Sequence, residues 1–328
     1  MESESIERAF GVPAPARLSL ANIDGPVDIQ PGEDGLVRVV AVKRLDTGEA
    51  ERTCVVIEQA PNGEVRIETR FGERGRIFNA GKPCEVTYTV RVPSRCSIEA
   101  RGVSSAMTVR GLAGDVLIET VSGDQDVAEL AGSLRFKTVS GRVAGRRLSG
   151  PVDIHTVSGE VELTGCVFPS MNAHAVSGDL TAETPLTAGA YRFSTVSADV
   201  ALVVPAGTRC VAEGASLSGT LRSALPVARW DSSGRRWRAD LDHPGAANAG
   251  AGESAARVSF DSVSGNLVFA RADGDGPGET PQAASNPQAD SSAGAPDVPT
   301  RADILDRIAR GELSVDEAVQ AFDALPGN

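Results

Sequence analysis

Aromatic residues are scarce. Two Trp, two Tyr and nine Phe make up only 4% of the 328 residues, so any core must be thin and filled with Val, Leu, Ile and Ala. Basic residues are outnumbered: 32 Lys and Arg stand against 44 Asp and Glu, a net charge of −12. Nucleic-acid binding needs a basic footprint, so no nucleic acid is expected as a partner. From residue 272 onward 3 basic residues face 11 acidic ones, which puts −8 of the −12 in the tail. No run of 18 apolar residues is present that could span a membrane as a helix. The opening Met1-Glu2-Ser3-Glu4-Ser5-Ile6-Glu7-Arg8 has neither a basic n-region nor an apolar h-region, so a secretory signal is not expected. The five cysteines, Cys54, Cys84, Cys96, Cys166 and Cys210, never form C-x-x-C, which supports neither a zinc ribbon nor a redox pair. They read as small core residues in a reducing cytoplasm.

Catalytic signals are equally thin. The three histidines are His155, His174 and His243. Two of them, His155 and His174, fall in one outward column of the repeat described next, but no third metal ligand accompanies them. The many serines lie in turns without a G-x-S-x-G elbow, and their simpler role is to bond local backbone groups. No catalytic residue and no cofactor is assigned.

What is present is a repeat. Thr120-Val121-Ser122-Gly123 returns as Thr138-Val139-Ser140-Gly141 and Thr156-Val157-Ser158-Gly159, at a spacing of 18. A fixed period of this kind marks a repeat architecture. Steps of 18 align Ile98, Val116, Leu134 and Val152, then Ala100, Ile118, Phe136 and Ile154. Beyond them run Val103, Val121, Val139 and Val157, and Met107, Gln125, Val143 and Val161. Apolar residues two apart are strand spacing, and Gly punctuates the ends. In a solenoid equivalent residues of successive coils lie about 4.8 Å apart, so outward columns should avoid stacking like charges. Arg101, Glu119, Lys137 and His155 alternate as required. An antiparallel up-and-down sandwich would pair adjacent half-repeats and would not need identity at 18 rather than 9. The spacing therefore predicts a mainly β fold, a parallel β-helix or β-solenoid, right-handed by the general bias of parallel connections.

Along the chain, residues 1–15 read as a flexible lead-in and 16–271 as the repeat domain. Strands before Pro93 lack the period, and antiparallel hairpins among them should cover the first open coil, because an exposed sheet edge invites aggregation. The period is strict over about 96–165, then stretches, with a last copy at Ser262-Val263-Ser264-Gly265 after an insertion at about 223–256. Residues 272–300, rich in Gly, Pro, Ala, Ser and Asp, read as a disordered linker. Residues 301–326 read as a helical hairpin, its second helix opened by the capping box Ser314-Val315-Asp316-Glu317. Its docking face is Ile304, Leu305, Ile308, Val315, Val319 and Phe322. It is too small to bury a core alone, so it should dock on something.

Two further groups are candidate sites. Glu160, Asp179 and Asp199 succeed one another after the Ser-Gly turn, and stacked carboxylates can hold Ca²⁺. Arg229, Trp230, Arg235, Arg236, Trp237 and Arg238 form a hairpin within the insertion. Trp and Arg dominate binding hot spots and also anchor to anionic membranes. Alternatively the two Trp fold back over the solenoid end and the arginines pair with nearby acids.

The Thr-Val-Ser-Gly-x-Val repeats, Ala21-Asn22-Ile23-Asp24-Gly25-Pro26-Val27 and Val92-Pro93 resemble the bacterial putative-adhesin β-strand-repeat family, a domain of unknown function, over about residues 15–270. Ile304 to Ala318 looks like a small helical module that usually precedes such repeats, whereas here it follows them. The resemblance implies a link to cell-envelope stress and carries no catalytic residues. The expectation is a non-enzymatic binding or scaffold protein of the bacterial cytoplasm, peripheral to the inner face of the membrane. Its contacts would be a protein partner, through either hairpin, and an anionic membrane. The alternatives are a self-assembling β-helical structural protein and a carbohydrate-active enzyme using Glu160 and Asp179.

Overall fold

The computed structural model describes residues 2–72, 81–205, 208–233, 235–241 and 256–272. The linker and the helical hairpin, with its face of Ile304, Leu305, Ile308, Val315, Val319 and Phe322, lie outside the described residues. Among the described residues there is no α-helix, only a 3-10 turn at Ala50–Arg52 between strands.

The first strands are β1 (Ser3–Gly11), β2 (Ala16–Asp24), β3 (Val27–Pro31), β4 (Leu36–Arg44), β5 (Thr53–Gln59), β6 (Val65–Phe71) and β7 (Val86–Val92). The strict repeat supplies β8 (Cys96–Ser104), β9 (Met107–Ala113), β10 (Val116–Thr120), β11 (Gln125–Ala131), β12 (Leu134–Thr138), β13 (Val143–Arg146), β14 (Val152–Thr156) and β15 (Val161–Thr164). The stretched copies give β16 (Met171–Ala175), β17 (Leu180–Glu183), β18 (Ala190–Thr195), β19 (Val200–Val204), β20 (Cys210–Ser216) and β21 (Leu221–Ser223). Then come β22 (Val227–Ser233), β23 (Arg236–Leu241), β24 (Ala256–Ser262) and β25 (Leu267–Arg271).

Within the repeat successive strands alternate between two sheets, one of 13 strands and one of 12, so that β8–β9, β10–β11 and each later pair form one coil. Neighbouring coils pair in parallel with the 18-residue register: Val116 lies between Ile98 and Leu134, and Phe136 between Ile118 and Ile154. The inward residues of both sheets share one hydrophobic core. This is a two-sheet β-solenoid. A thin core suits it because Ile118, Phe136 and Ile154 bury completely between the sheets.

The repeated phrase is the corner between the sheets, and its residues have distinct duties. Thr156 Oγ1 accepts from the Gly159 amide at 2.8 Å and donates to the Gly159 carbonyl at 3.2 Å, and Thr138 Oγ1 accepts likewise from Gly141 at 3.0 Å. The threonines are buried, so they close the corner without water. In the strict phrase the serines make longer contacts, Ser122 and Ser140 Oγ lying 3.4 and 3.3 Å from carbonyls of the preceding coil. Ser216 and Ser262, at the threonine position of later copies, accept from the Gly219 and Gly265 amides at 2.7 Å as expected. Glycine is required by stacking: a Cβ on Gly141 would overlap the Gly123 carbonyl oxygen, and one on Gly159 that of Gly141. The valine column, grouped with the apolar set in the sequence, turns outward instead, with Val103 48% and Val121 43% exposed.

Both ends depart from chain order. At one end β2–β3 lies between β8–β9 and β6–β7. Here β5 pairs antiparallel with β6, and β4 and β1 add antiparallel strands beyond β7. Asn22 ties these layers together from the corner position. Its Nδ2 donates to the carbonyls of Gly25 and Val86, and its Oδ1 accepts from Thr69, whose hydroxyl meets Tyr88 at 2.7 Å. At the other end the last copy of the repeat, β24–β25, inserts between β18–β19 and β20–β21. The stretched spacing before it is thus a skipped layer that the chain fills on its return.

Candidate functional site

The hairpin β22–β23 extends the 13-stranded sheet past β20. Its inner face closes the core, with Ala239 and Leu241 buried. Trp237 shares that face and packs against the core. Its ring occupies the space above Gly214, where any Cβ would collide with it. Trp230 stacks on Trp237 with ring centroids 6.0 Å apart and planes 8° from parallel, and stays 46% exposed.

The outer face carries the charge. Arg238 is held by Glu213 at 2.5 Å and Asp240 at 3.5 Å. Among the described residues Arg229, Arg235 and Arg236 have no ion pair. Of these, Arg236 lines a groove of about 430 Å³ together with Glu213, Asp231, Trp237, Arg238 and Asp261. Trp237 and Arg238 are therefore used by the fold, while Trp230, Arg229, Arg235 and Arg236 face solvent.

The acidic column forms but does not converge on a point. Asp179 Oδ1 accepts from the Asp199 amide at 3.2 Å, and Asp199 Oδ1 accepts from the Asn266 amide at 2.8 Å. These carboxylates bond the next coil's backbone, and the column of Glu160, Asp179 and Asp199 continues into Asn266. No group of three or more His, Cys, Asp or Glu placed to hold a metal ion occurs among the described residues. His155 and His174 stack at 4.9 Å. His155 Nε2 donates to Asp153 Oδ1 at 3.1 Å, and Arg135 Nε reaches Oδ2 at 3.2 Å. The hydrogen bond from His155 and the nearby Arg135 outweigh burial and lower the Asp153 carboxyl to about 2. Of the cysteines only Cys54 is exposed, all five are free thiols, and burial raises Cys96 and Cys210 to about 12.

A model of the Toastrack DUF4097 family matches residues 16–268. The chain belongs to that family. No curated protein matches this toastrack chain in sequence. Solved structures similar to it include a putative adhesin from Bacteroides fragilis, 11% identical, covering 81% of this chain and 97% of that one, with a TM-score of 0.46. Another is a putative lipid binding protein from Parabacteroides distasonis, at 8% identity, 80% and 96% coverage and a TM-score of 0.35. A third is a putative cell adhesion protein from Clostridium sporogenes, at 8%, 82% and 100%, with a TM-score of 0.29. The toastrack match ends three residues before Arg271, so the hairpin β22–β23 lies within the family's span.

Proposed function

We propose that this toastrack protein is a non-enzymatic binding or scaffold protein whose contact surface is the tip of the β22–β23 hairpin, and that its partner is an acidic protein surface. The observation that carries this reading is three arginines without ion pairs among the described residues, on the same hairpin as a stacked tryptophan pair of which Trp230 is half-exposed. A stacked pair is pre-organised, so little side-chain entropy is lost on contact, and Arg and Trp are the residues whose truncation costs most at interfaces. The free thiols support a reducing compartment, the bacterial cytoplasm. End-to-end filament growth is opposed by antiparallel strands over both sheets at one end and over the 13-stranded sheet at the other.

The test is capture from a lysate of the source organism by the full chain and by its R235S/R236S double variant. An acidic protein retained by the first and lost by the second supports the reading. Identical sets of captured proteins overturn it. Vesicles of anionic phospholipid run in parallel; retention on them, lost in the double variant, would replace the protein partner by a membrane.

A further inference from the structure

Along the outer face of the 13-stranded sheet, opposite charges sit side by side on neighbouring strands. Glu119 lies between Arg101 and Lys137, at 3.0 Å from each, and Arg135 meets Asp153 at 3.2 Å. The pattern continues into the hairpin, where Glu213, Arg238 and Asp231 succeed one another on β20, β23 and β22, with Asp240 opposite Arg229 beside them. It stops at β22, the edge of the sheet among the described residues. All seven residues of β22 are exposed, including Trp230 and Val227. An edge strand turns alternate backbone N–H and C=O groups to solvent and is a template for another strand.

We propose that β22 pairs antiparallel with β22 of a second copy of this chain, in a register centred on Trp230. In that register Arg229 stands opposite the second copy's Asp231, and Asp231 opposite its Arg229. Both charge ladders then run on unbroken: Glu213, Arg238 and Asp231 are followed by Arg229 and Asp240 of the second copy. Ala228 meets Ser232, and the two Trp230 rings come together on the inner face. The bulge in β22 falls at Ala228, between Val227 and Arg229, so regular pairing holds over Arg229, Trp230 and Asp231 and ends where Ala228 faces the second copy's Ser232. The contact uses the same patch on both copies, so it closes at two and does not propagate. It is small, so the dimer is a reversible one in the micromolar range. It shares Arg229 and Trp230 with the contact surface proposed above but not Arg235 and Arg236, so R235S/R236S should leave the dimer intact and tells the two apart.

The experiment is sedimentation of the full chain at concentrations up to about 200 μM, with R229D and D231R each alone, mixed, and combined in one chain. Each single variant places like charges opposite one another twice per dimer, which should weaken association about tenfold or more. The mixture restores opposite charges in a heterodimer, and the R229D/D231R chain restores them in a homodimer. Both should associate more tightly than either single variant alone, because the like charges that R229D sets beside Asp240 and D231R beside Arg238 within a hairpin are the same in monomer and dimer. Circular dichroism checks that every variant is folded; since both residues are exposed, a misfolded single variant is replaced by R229E or D231K. A wild type that stays monomeric overturns the proposal. So do single variants that dimerise as well as the wild type, or a mixture and swap that fail to recover.

Discussion

A single corner residue shows how closely stacking constrains this sequence. Gly141 has no freedom to gain a side chain, because the carbonyl of the coil before it occupies the space a Cβ would take. Gly141→Ala should therefore cost about 3 kcal/mol, as overpacking against backbone that cannot move aside. Gly11→Ala, on an edge strand with nothing within 4 Å, should change stability by less than about 0.5 kcal/mol. Urea denaturation of the two variants measures both; equal effects would contradict the stacking argument. The columns of Val116, Phe136 and Ile154 could be read from spacing because period 2 and period 18 coincide at buried positions. The exposure of Val103 and Val121 could not, because a corner breaks the strand alternation that decides which way a residue faces. The Asn22 network was equally hidden: its partners Thr69 and Tyr88 lie 47 and 66 positions away and carry no shared pattern.

At the scale of the strand, outward ladders set register. Asp153 on β14 is the most strongly bound member, drawing bonds from His155 on its own strand, Arg135 on β12 and Asn172 on β16. Its folded pKa lies below the ordinary value of 3.8, so the unfolded chain takes up its proton first as pH falls. The stability it contributes is complete above about pH 4 and is lost progressively toward pH 2. Replacing it by Asn should flatten the fall in melting temperature over that window while leaving the curve above pH 5 parallel to the wild type. An unchanged acid limb would remove Asp153 from the account. The Arg/Trp hairpin was visible as composition and turn chemistry, yet the division of labour within it was not. Trp237 and Arg238 reach core and acids because β23 happens to pair with β20, a contact no local pattern announces.

At the scale of the molecule, the first and last coils in chain order each lie one layer inside the stack, with later or earlier coils laid over them. Repeat spacing gave no access to this, since the columns say which residues stack but not which layer follows which once the period stretches. Neither interior layer can be completed locally: β20–β21 finds its neighbour only when β24–β25 arrives. Long-range pairing of this kind slows folding. It also restricts how such a protein can change its length. A coil gained or lost at either extreme would open a layer held on both faces, whereas the run from 96 to 165 obeys chain order throughout. Excision of residues 121–138 joins Thr120 to Val139 in register and should yield a shorter protein with a single cooperative melt. Excision of 256–272 should instead leave one edge each of β18, β19 and β20 unpaired and β21 with no partner strand, and the product aggregated on size-exclusion chromatography. Two soluble, cooperative products would show that the layers are interchangeable after all. If they are not, only the middle of the molecule is open to duplication, and that is where its copies are most nearly alike.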